Sequence, residues 1–524
     1  MNRSHETNYL IPVMGKGQRL VLYYLIGVWV ISLSIFLIYW CQPEHIISWD
    51  KFVINTLLLL WINLLPGYFF FFVSRMKHVN PEIAIPGSWK VAMVTTRAPS
   101  EPFSVVKTTL LAMKNQVFPH DTWLADEDPN DEIIGWCKQH KIHLCCRKGI
   151  FEYHQDAWPR RTKCKEGNLA YFYDHHGYEN YNVVVQMDSD HIPGKNYLEE
   201  MIRPFVNEEV GYVSAPSICD SNAKHSWTAR GRLYSEAIMH GPLQAGYSSG
   251  FSSLCIGSHY AVRTKALKEI GGLGPELAED HSTTLMMNGN GWKGIHALNA
   301  QASGEGPRAI ADCITQEFQW SRSLMILLLT ELPKYWKRLS TNLRFQFLFS
   351  ELWYSLFGLM FLIGTLLPII AVFTGEAWVS VSFFEFLLYS VPTAVSIIAV
   401  VWFLKINSWL KPSYAPVMSW EIMLFQIFRW PWAVYGSIMG MVAVIMKKIP
   451  GFKVTPKRRA KNKSLSWNIL YPYIVLIFAS ALPGIFIQQN NNASGYHVFL
   501  LINVITYIIL IFTILIMNYH ETKR

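Results

Sequence analysis

Charge is what this chain has least of. Asp, Glu, Lys and Arg make up 16 % of its 524 residues, against roughly 25 % in an ordinary soluble protein. A disordered chain needs low hydrophobicity and high net charge, so that class is excluded. None of the eight cysteines stands in a Cys-x-x-Cys pair, and zinc-ribbon or thioredoxin-like chemistry has no footing. Seven of them fall between Cys137 and Cys313, and a reduced, cytosolic block is the economical reading. Vicinal Cys145 and Cys146 read as a buried strand end. Internal repeats and low-complexity segments are missing too, so solenoids and propellers are excluded. Positive charge is local. Six basic residues (Lys453, Lys457, Arg458, Arg459, Lys461 and Lys463) share one tract, and removing them takes the net charge from +9 to +3. That distribution excludes a nucleic-acid partner.

Apolar residues, by contrast, make up 51 % of the chain and are unevenly spread. A bilayer-spanning helix needs about 20 of them in a row. Leu20–Trp40, Phe52–Val73, Phe345–Phe373, Val379–Leu404, Ile469–Ile487 and Tyr496–Met517 meet that length. The first is too long for a signal-peptide core and lacks a small-x-small cleavage site, so it reads as a helix that stays. Trp420–Met446 is apolar but carries Glu421, Gln426, Arg429 and Pro431. Counting it as a span would put the basic tract after Met446 outside, against the preference of Lys and Arg for the cytoplasmic face. It therefore reads as an interfacial or re-entrant helix. The expected organisation is two transmembrane helices in 1–80, a cytosolic domain in 81–337, and two further spans with the interfacial helix in 338–446. A basic loop at 447–465 and two last spans in 466–524 complete it, with both termini inside. Asn492-Ala493-Ser494 matches a glycosylation acceptor and reads as a polar loop.

Within the polar block, short apolar runs alternate with amphipathic stretches, the pattern of a βαβ domain. Lys90–Thr95, Thr122–Ala125 and Val183–Met187 read as strands, and Val105–Asn115 and Ser282–Met287 as helices. Two strands end in carboxylates, Asp126-Glu127-Asp128 and Asp188-Ser189-Asp190-His191. Ligands of open α/β sheets bind beyond the carboxyl ends of strands. Asp188 and Asp190 have the spacing to share a divalent cation through hard oxygen ligands, and His191 is a candidate third. A pair of solvated turn aspartates fits the same letters. Glu279 and Asp280 open a helix, where carboxylates often serve only as caps. His175-His176 reads as a surface pair at a helix end.

The order of these motifs resembles the processive family-2 glycosyltransferases. It runs Asp126, Lys165-Glu166-Gly167-Asn168, Asp188-Ser189-Asp190-His191, Cys255-Ile256-Gly257-Ser258, Glu279-Asp280, Gln316-x-x-x-Trp320. Cellulose synthases give the nearest pattern, and Phe452-Lys453-Val454-Thr455-Pro456-Lys457 is similar to the FxVTxK gating loop of bacterial ones. The resemblance covers about residues 85 to 460. It implies a Rossmann-like α/β domain of the GT-A type inserted in an α-helical membrane domain of about six spans. It also implies a Mg²⁺ or Mn²⁺ ion on Asp188, Asp190 and His191. Asp126, Lys165, Asp188 and Lys457 would contact the nucleotide, and Asp280 would be the general base. Glu279, Gln316, Trp320, Cys255 and Gly257 would form the acceptor side, and Phe452, Val454, Thr455 and Lys457 the gate. The implied partners are a UDP-sugar (UDP-glucose first), a growing polysaccharide, membrane lipids, and an accessory export subunit or a second copy.

Two departures from the family pattern stand out. The arginine of its Gln-x-x-Arg-Trp motif is Gln319 here, and Arg322, one turn on, is the candidate replacement. The first-strand motif that usually ends Tyr-Asn-Glu-Pro reads Arg97-Ala98-Pro99-Ser100-Glu101-Pro102, without its aromatic. Lacking a second carboxylate nucleophile, the site implies inversion, an α-linked donor giving a β-linked product. The expected activity is processive synthesis, with the polymer exported through the protein's own helices, past Trp353, Tyr354, Glu385 and Tyr389. Transfer to a lipid acceptor and a catalytically silent homologue are the alternatives.

Overall fold

A strand whose residues are all apolar must be covered on both faces. The computed structural model describes residues 9–162, 164–248, 250–275, 278–447, 465–487 and 494–522. In it, β1 (Val91–Arg97), β2 (Asp121–Asp126), β3 (His143–Cys145), β4 (Val183–Met187), β5 (Val210–Ser214), β6 (His259–Arg263) and β7 (Lys293–His296) form one seven-stranded sheet. The strand order is β7-β5-β6-β4-β1-β2-β3. All neighbours are parallel except β6, which runs antiparallel to both β4 and β5.

Side chains alternate across a strand, and β1 shows it. Val91 and Met93 join a core with Val106, Leu110 and Met113 of α1 (Phe103–Lys114). Ala92 and Val94 join another with Leu169 and Phe172 of α2 (Lys165–Phe172). Met286 and Met287 of α3 (Glu279–Gly289) belong to that second core. The doubly covered, mixed sheet is a GT-A-type Rossmann-like domain. Cys145 is the buried last residue of β3, as the sequence indicated, and the cysteines are free thiols. His175 is exposed, while His176 lies 4.6 Å from the Trp123 ring.

Among the described residues, six helices are long and apolar enough to cross a membrane: Lys16–Trp40, Trp49–Val73, Thr341–Thr374, Phe383–Ile406, Trp467–Phe486 and Gly495–Glu521. They flank the domain two before and four after, and make this a multi-pass membrane protein. The fourth begins at Phe383 rather than Val379, because Ser382 and Glu385 close a capping box there. Glu385 is thus held by its own helix start, and Tyr389 stacks on Tyr39 at 3.8 Å.

Residues Trp420–Ile445 form one unbroken helix, continuous through Pro431. A re-entrant segment would have to reverse, so that form is ruled out. The helix runs along Ile310–Thr330, and Arg429 pairs with Glu317 at 2.9 Å. Close approach is permitted by Gly436, where an added Cβ would stand 1.9 Å from Ser321 Oγ and 2.5 Å from the Phe318 carbonyl. The tract Phe452–Lys463 and the Asn492–Ser494 tripeptide lie outside the residues whose side chains are described.

Gly436→Ala should therefore cost about 2 kcal/mol of stability. Gly364→Ala, at a glycine with nothing within 4 Å of the new carbon, should cost almost nothing. Melting temperatures of the two detergent-solubilised variants check the difference.

Candidate active site

Parallel pairing aligns strand ends, and here it aligns the acidic ones. Arg97 is in register with Asp126, and Thr95 with Met187, so the ends of β1, β2 and β4 open on one edge of the sheet. From the β4 end the chain turns through Asp188-Ser189-Asp190. Thr109 of α1 donates to the Ser189 carbonyl at 2.8 Å, and Ser189 Oγ donates to Glu101 Oε1 at 3.0 Å. The other Glu101 oxygen accepts from the Ala98 amide at 3.1 Å. Glu101 is thus the post that holds both the β1 exit and the Asp188 turn. The sequence reading passed over it, although it keeps the Glu-Pro of the first-strand motif.

Lys165 opens α2 and joins three of the sequence motifs. Its Nζ lies 2.7 Å from Asp188 Oδ1 and 2.7 Å from the Gly257 carbonyl. The Asp188 amide donates to the Ser258 carbonyl at 2.7 Å. Gly257 abuts Asp280, for an added Cβ would stand 3.2 Å from Asp280 Oδ2. The Cys255 amide donates to Thr284 Oγ1 at 2.9 Å, tying the same loop to α3. Asp188, Lys165, Gly257 and Asp280 therefore stand side by side. Cys255 is buried, and its thiol is pushed far up by that burial. Its visible role is to hold the loop.

Glu279 and Asp280 occupy the first turn of α3, the former buried and the latter half-buried. Burial raises each carboxyl above its ordinary range, and for Glu279 the neighbouring Asp280 charge adds to the effect. The His281 amide donates to Asp280 Oδ1 at 2.8 Å and opposes the rise. His281 Nε2 in turn lies 3.5 Å from Glu351 Oε1, on the helix Thr341–Thr374. Sequence reasoning missed this contact. Its signal was Glu351, the only charged residue in the apolar run Phe345–Phe373, since an ionisable group inside a span is rarely idle.

Ligand atoms of Asp188, Asp190 and His191 lie within 4.8 Å of one another, a geometry able to hold a divalent cation. The two carboxylates are the hard donors that Mg²⁺ or Mn²⁺ prefers. Asp188 is paired with the Lys165 ammonium, whose place at that carboxylate a bound cation would share. His191 Nδ1 is 3.3 Å from Asp190 Oδ1, and its Nε2 is 3.9 Å from Cys219 Sγ. Burial alone would depress this imidazole, but hydrogen bonds to Asp190 and Cys219 outweigh it and lift the pKa to about 10.

Asp126 is where the family pattern put it, at the β2 end, but its carboxylate is fully buried. Both oxygens accept from Arg97 Nη1 at 3.0 Å. Burial still holds that carboxyl above its usual range. Arg97, two residues before the position where the family has its aromatic and this chain has Pro99, is thus clamped onto Asp126.

On the acceptor side, α4 (Ile310–Thr330) carries Gln316 and Trp320, both half-buried. One turn further on, Ser323 Oγ accepts from the Ala278 amide at 3.1 Å, which fastens α4 beside the start of α3. Arg322 is buried with its guanidinium 5.5 Å from the Phe318 ring centroid. The gate residues Phe452, Val454, Thr455 and Lys457 lie outside the described residues.

The sheet, the acidic strand ends and the paired carboxylates of α3 define a glycosyltransferase. Residues 183–517, more than half of the chain, match the model for glycosyl transferase family group 2, and the chain belongs to that family. It is similar to the UDP-forming cellulose synthase catalytic subunit of Pseudomonas fluorescens (strain SBW25). The two are 23 % identical over 401 residues, 75 % of this chain and 51 % of that protein. The corresponding subunit of cellulose synthase 1 from Komagataeibacter xylinus is 21 % identical over 451 residues, 83 % of this chain and 57 % of its own. The chain thus spans about half the length of the curated relatives it matches. A mannosyltransferase from Pyrobaculum calidifontis, solved with GDP-Man and Mn²⁺, covers 80 % of this chain and 98 % of its own. It has 13 % identity and a TM-score of 0.42, a likeness too loose to carry an argument.

If the two aspartates are the cation's ligands, Asp190→Ala should weaken Mn²⁺ binding at least about tenfold. Calorimetric titration of Mn²⁺ into the purified full-length protein in the presence of UDP measures it, and unchanged affinity would place the metal elsewhere.

Proposed function

We propose that this protein is an inverting, processive synthase that extends a β-linked polysaccharide from a UDP-sugar, with UDP-glucose the first donor to test. The observation that carries the reading is the contact set joining Lys165, Asp188, Gly257 and Asp280. It brings diphosphate-side charge and a half-buried carboxylate to the border of one small space, within a chain of the matching family.

In this mechanism the acceptor hydroxyl approaches Asp280, which takes its proton as the oxygen attacks the anomeric carbon. General-base help of this kind is worth about 10²–10⁴ in rate. Its value depends on a base whose pKa lies near the working pH, and burial moves Asp280 in that direction. Lys165 and Asp188 stand on the leaving side, where Lys165 supplies positive charge to the departing diphosphate. A divalent ion on Asp188 and Asp190, when bound, supplies further neutralisation of that leaving group. Asp190 is oriented by His191. Gln316 and Trp320 receive the terminal sugar of the acceptor, and Lys457 of the basic tract closes over the nucleotide. Asp126 contributes to nucleotide binding through Arg97, whose position it sets. The catalytic block faces the cytoplasm of a cell membrane, and the product leaves between the membrane helices.

Incubating membranes with labelled UDP-glucose should yield β-linked polymer that resists organic extraction. A product confined to extractable lipid would assign the protein to single transfer onto lipid, and Asp280→Asn should abolish either product. The base reading also fixes a pH dependence. Asp280 must be deprotonated to act, so the rate should fall as pH drops through its raised pKa. Lys165→Met removes a neighbouring positive charge and should move that acid limb to higher pH. A limb that stays in place would exclude Asp280 as the titrating base.

A further inference from the structure

The motif arginine replaced by Gln319 leaves open which cation serves Trp320. The nearest one in space is distant in sequence. Arg232, on α5 (Trp227–Ser235), places its guanidinium 4.3 Å from the centroid of the Trp320 ring. Its Nη1 donates to Gln316 Oε1 at 3.1 Å, and its Nε donates to both oxygens of Glu236 at 3.2 Å. Glu236 Oε2 also meets His240 Nε2 at 3.3 Å.

These contacts constrain the acceptor side in two ways. A guanidinium has donors only, so the group that Gln316 turns toward Arg232 must be its carbonyl, and its amide NH₂ faces the other way. A planar cation on one face of an indole also fixes the ring's tilt and takes that face. The bidentate Glu236 carboxylate balances the Arg232 charge, which marks Arg232 as an orienting group rather than a free counter-charge for a diphosphate. We infer that Arg232 is a positioning residue for the acceptor saccharide, holding the Trp320 ring and presenting the Gln316 NH₂ to a sugar hydroxyl. The inference rests on the reading of Gln316 and Trp320 as the acceptor side.

A positioning residue of this kind affects the acceptor and spares the donor. Arg232→Met alone would leave the buried Glu236 unbalanced, so the informative variant is Arg232→Met with Glu236→Gln. Arg232→Lys, which keeps the charge and loses the planar fork, is the second. Full-length proteins are assayed with UDP-glucose and a β-linked glucose trisaccharide as primer. The paired variant should raise the primer KM about tenfold, the size of one misplaced hydrogen bond to a sugar hydroxyl. It should also shorten the product and leave the donor KM within about twofold. Arg232→Lys should fall between it and the wild type, and it carries the test if the paired variant does not fold. Adding Trp320→Ala to the paired variant should cost less than the two losses multiplied, because the arginine acts in part through that ring. An unmoved primer KM, a donor KM that rises in step, or losses that multiply with Trp320→Ala would overturn the inference while wild-type activity stands. A wild type that extends no primer would overturn the functional reading and this inference with it.

Discussion

The ammonium of Lys165 is the contact on which the rest of the site depends. Asp188, Glu279 and Asp280 are brought close together by three separate parts of the chain, the β4 exit, the 255–258 loop and the start of α3. Like charges in a space shielded from water repel strongly unless a cation is placed among them. Lys165 meets Asp188 directly, holds the loop through the Gly257 carbonyl, and lowers the cost of ionising Glu279 and Asp280. Burial, which that cation only partly offsets, still holds the carboxyl assigned as base above its ordinary range.

A second theme is how closely the cleft is built onto the membrane helices. Ser323 fixes the strand of chain before Glu279, and Glu351 reaches from a span to the imidazole following Asp280. The Glu317–Arg429 pair then fastens the same helix, Ile310–Thr330, to Trp420–Ile445. Charges that argued against a simple span at 420–446 are thus spent on joining that helix to the catalytic domain. A shift of those helices is felt at the carboxylates within one or two contacts.

The chain also shows how a motif survives the loss of its expected residues. The first-strand motif has Pro99 in place of its aromatic, and Arg97, two residues earlier, clamps Asp126. Where they place an arginine beside the motif tryptophan, Gln319 stands and Arg232 occupies the ring face from another helix. In both cases a guanidinium sits flat against, or bidentate on, a group whose orientation matters, a geometry that the arginine fork favours.

Much of this was legible from the residues alone. Uninterrupted apolar runs marked the spans, because a bilayer leaves little choice of length or composition. The buried strands were equally plain, for Val183–Met187 has no polar face to show, and the turn after it announced its carboxylates. Local rules sufficed for these because each depends on neighbours within one turn or one strand. Where Trp420–Ile445 lies, and that it does not reverse, depended instead on the partner helix that its glycines fit. Arg232, Glu101 and Glu351 escaped notice because their partners lie far along the chain: 84 and 88 positions for the first two, and 70 for Glu351. Composition and spacing therefore determined the class of molecule and the identity of its acidic groups. Which cation steadies which ring or carboxylate was settled only by folding, since a charge finds its partner through space and the order of residues records no such distance.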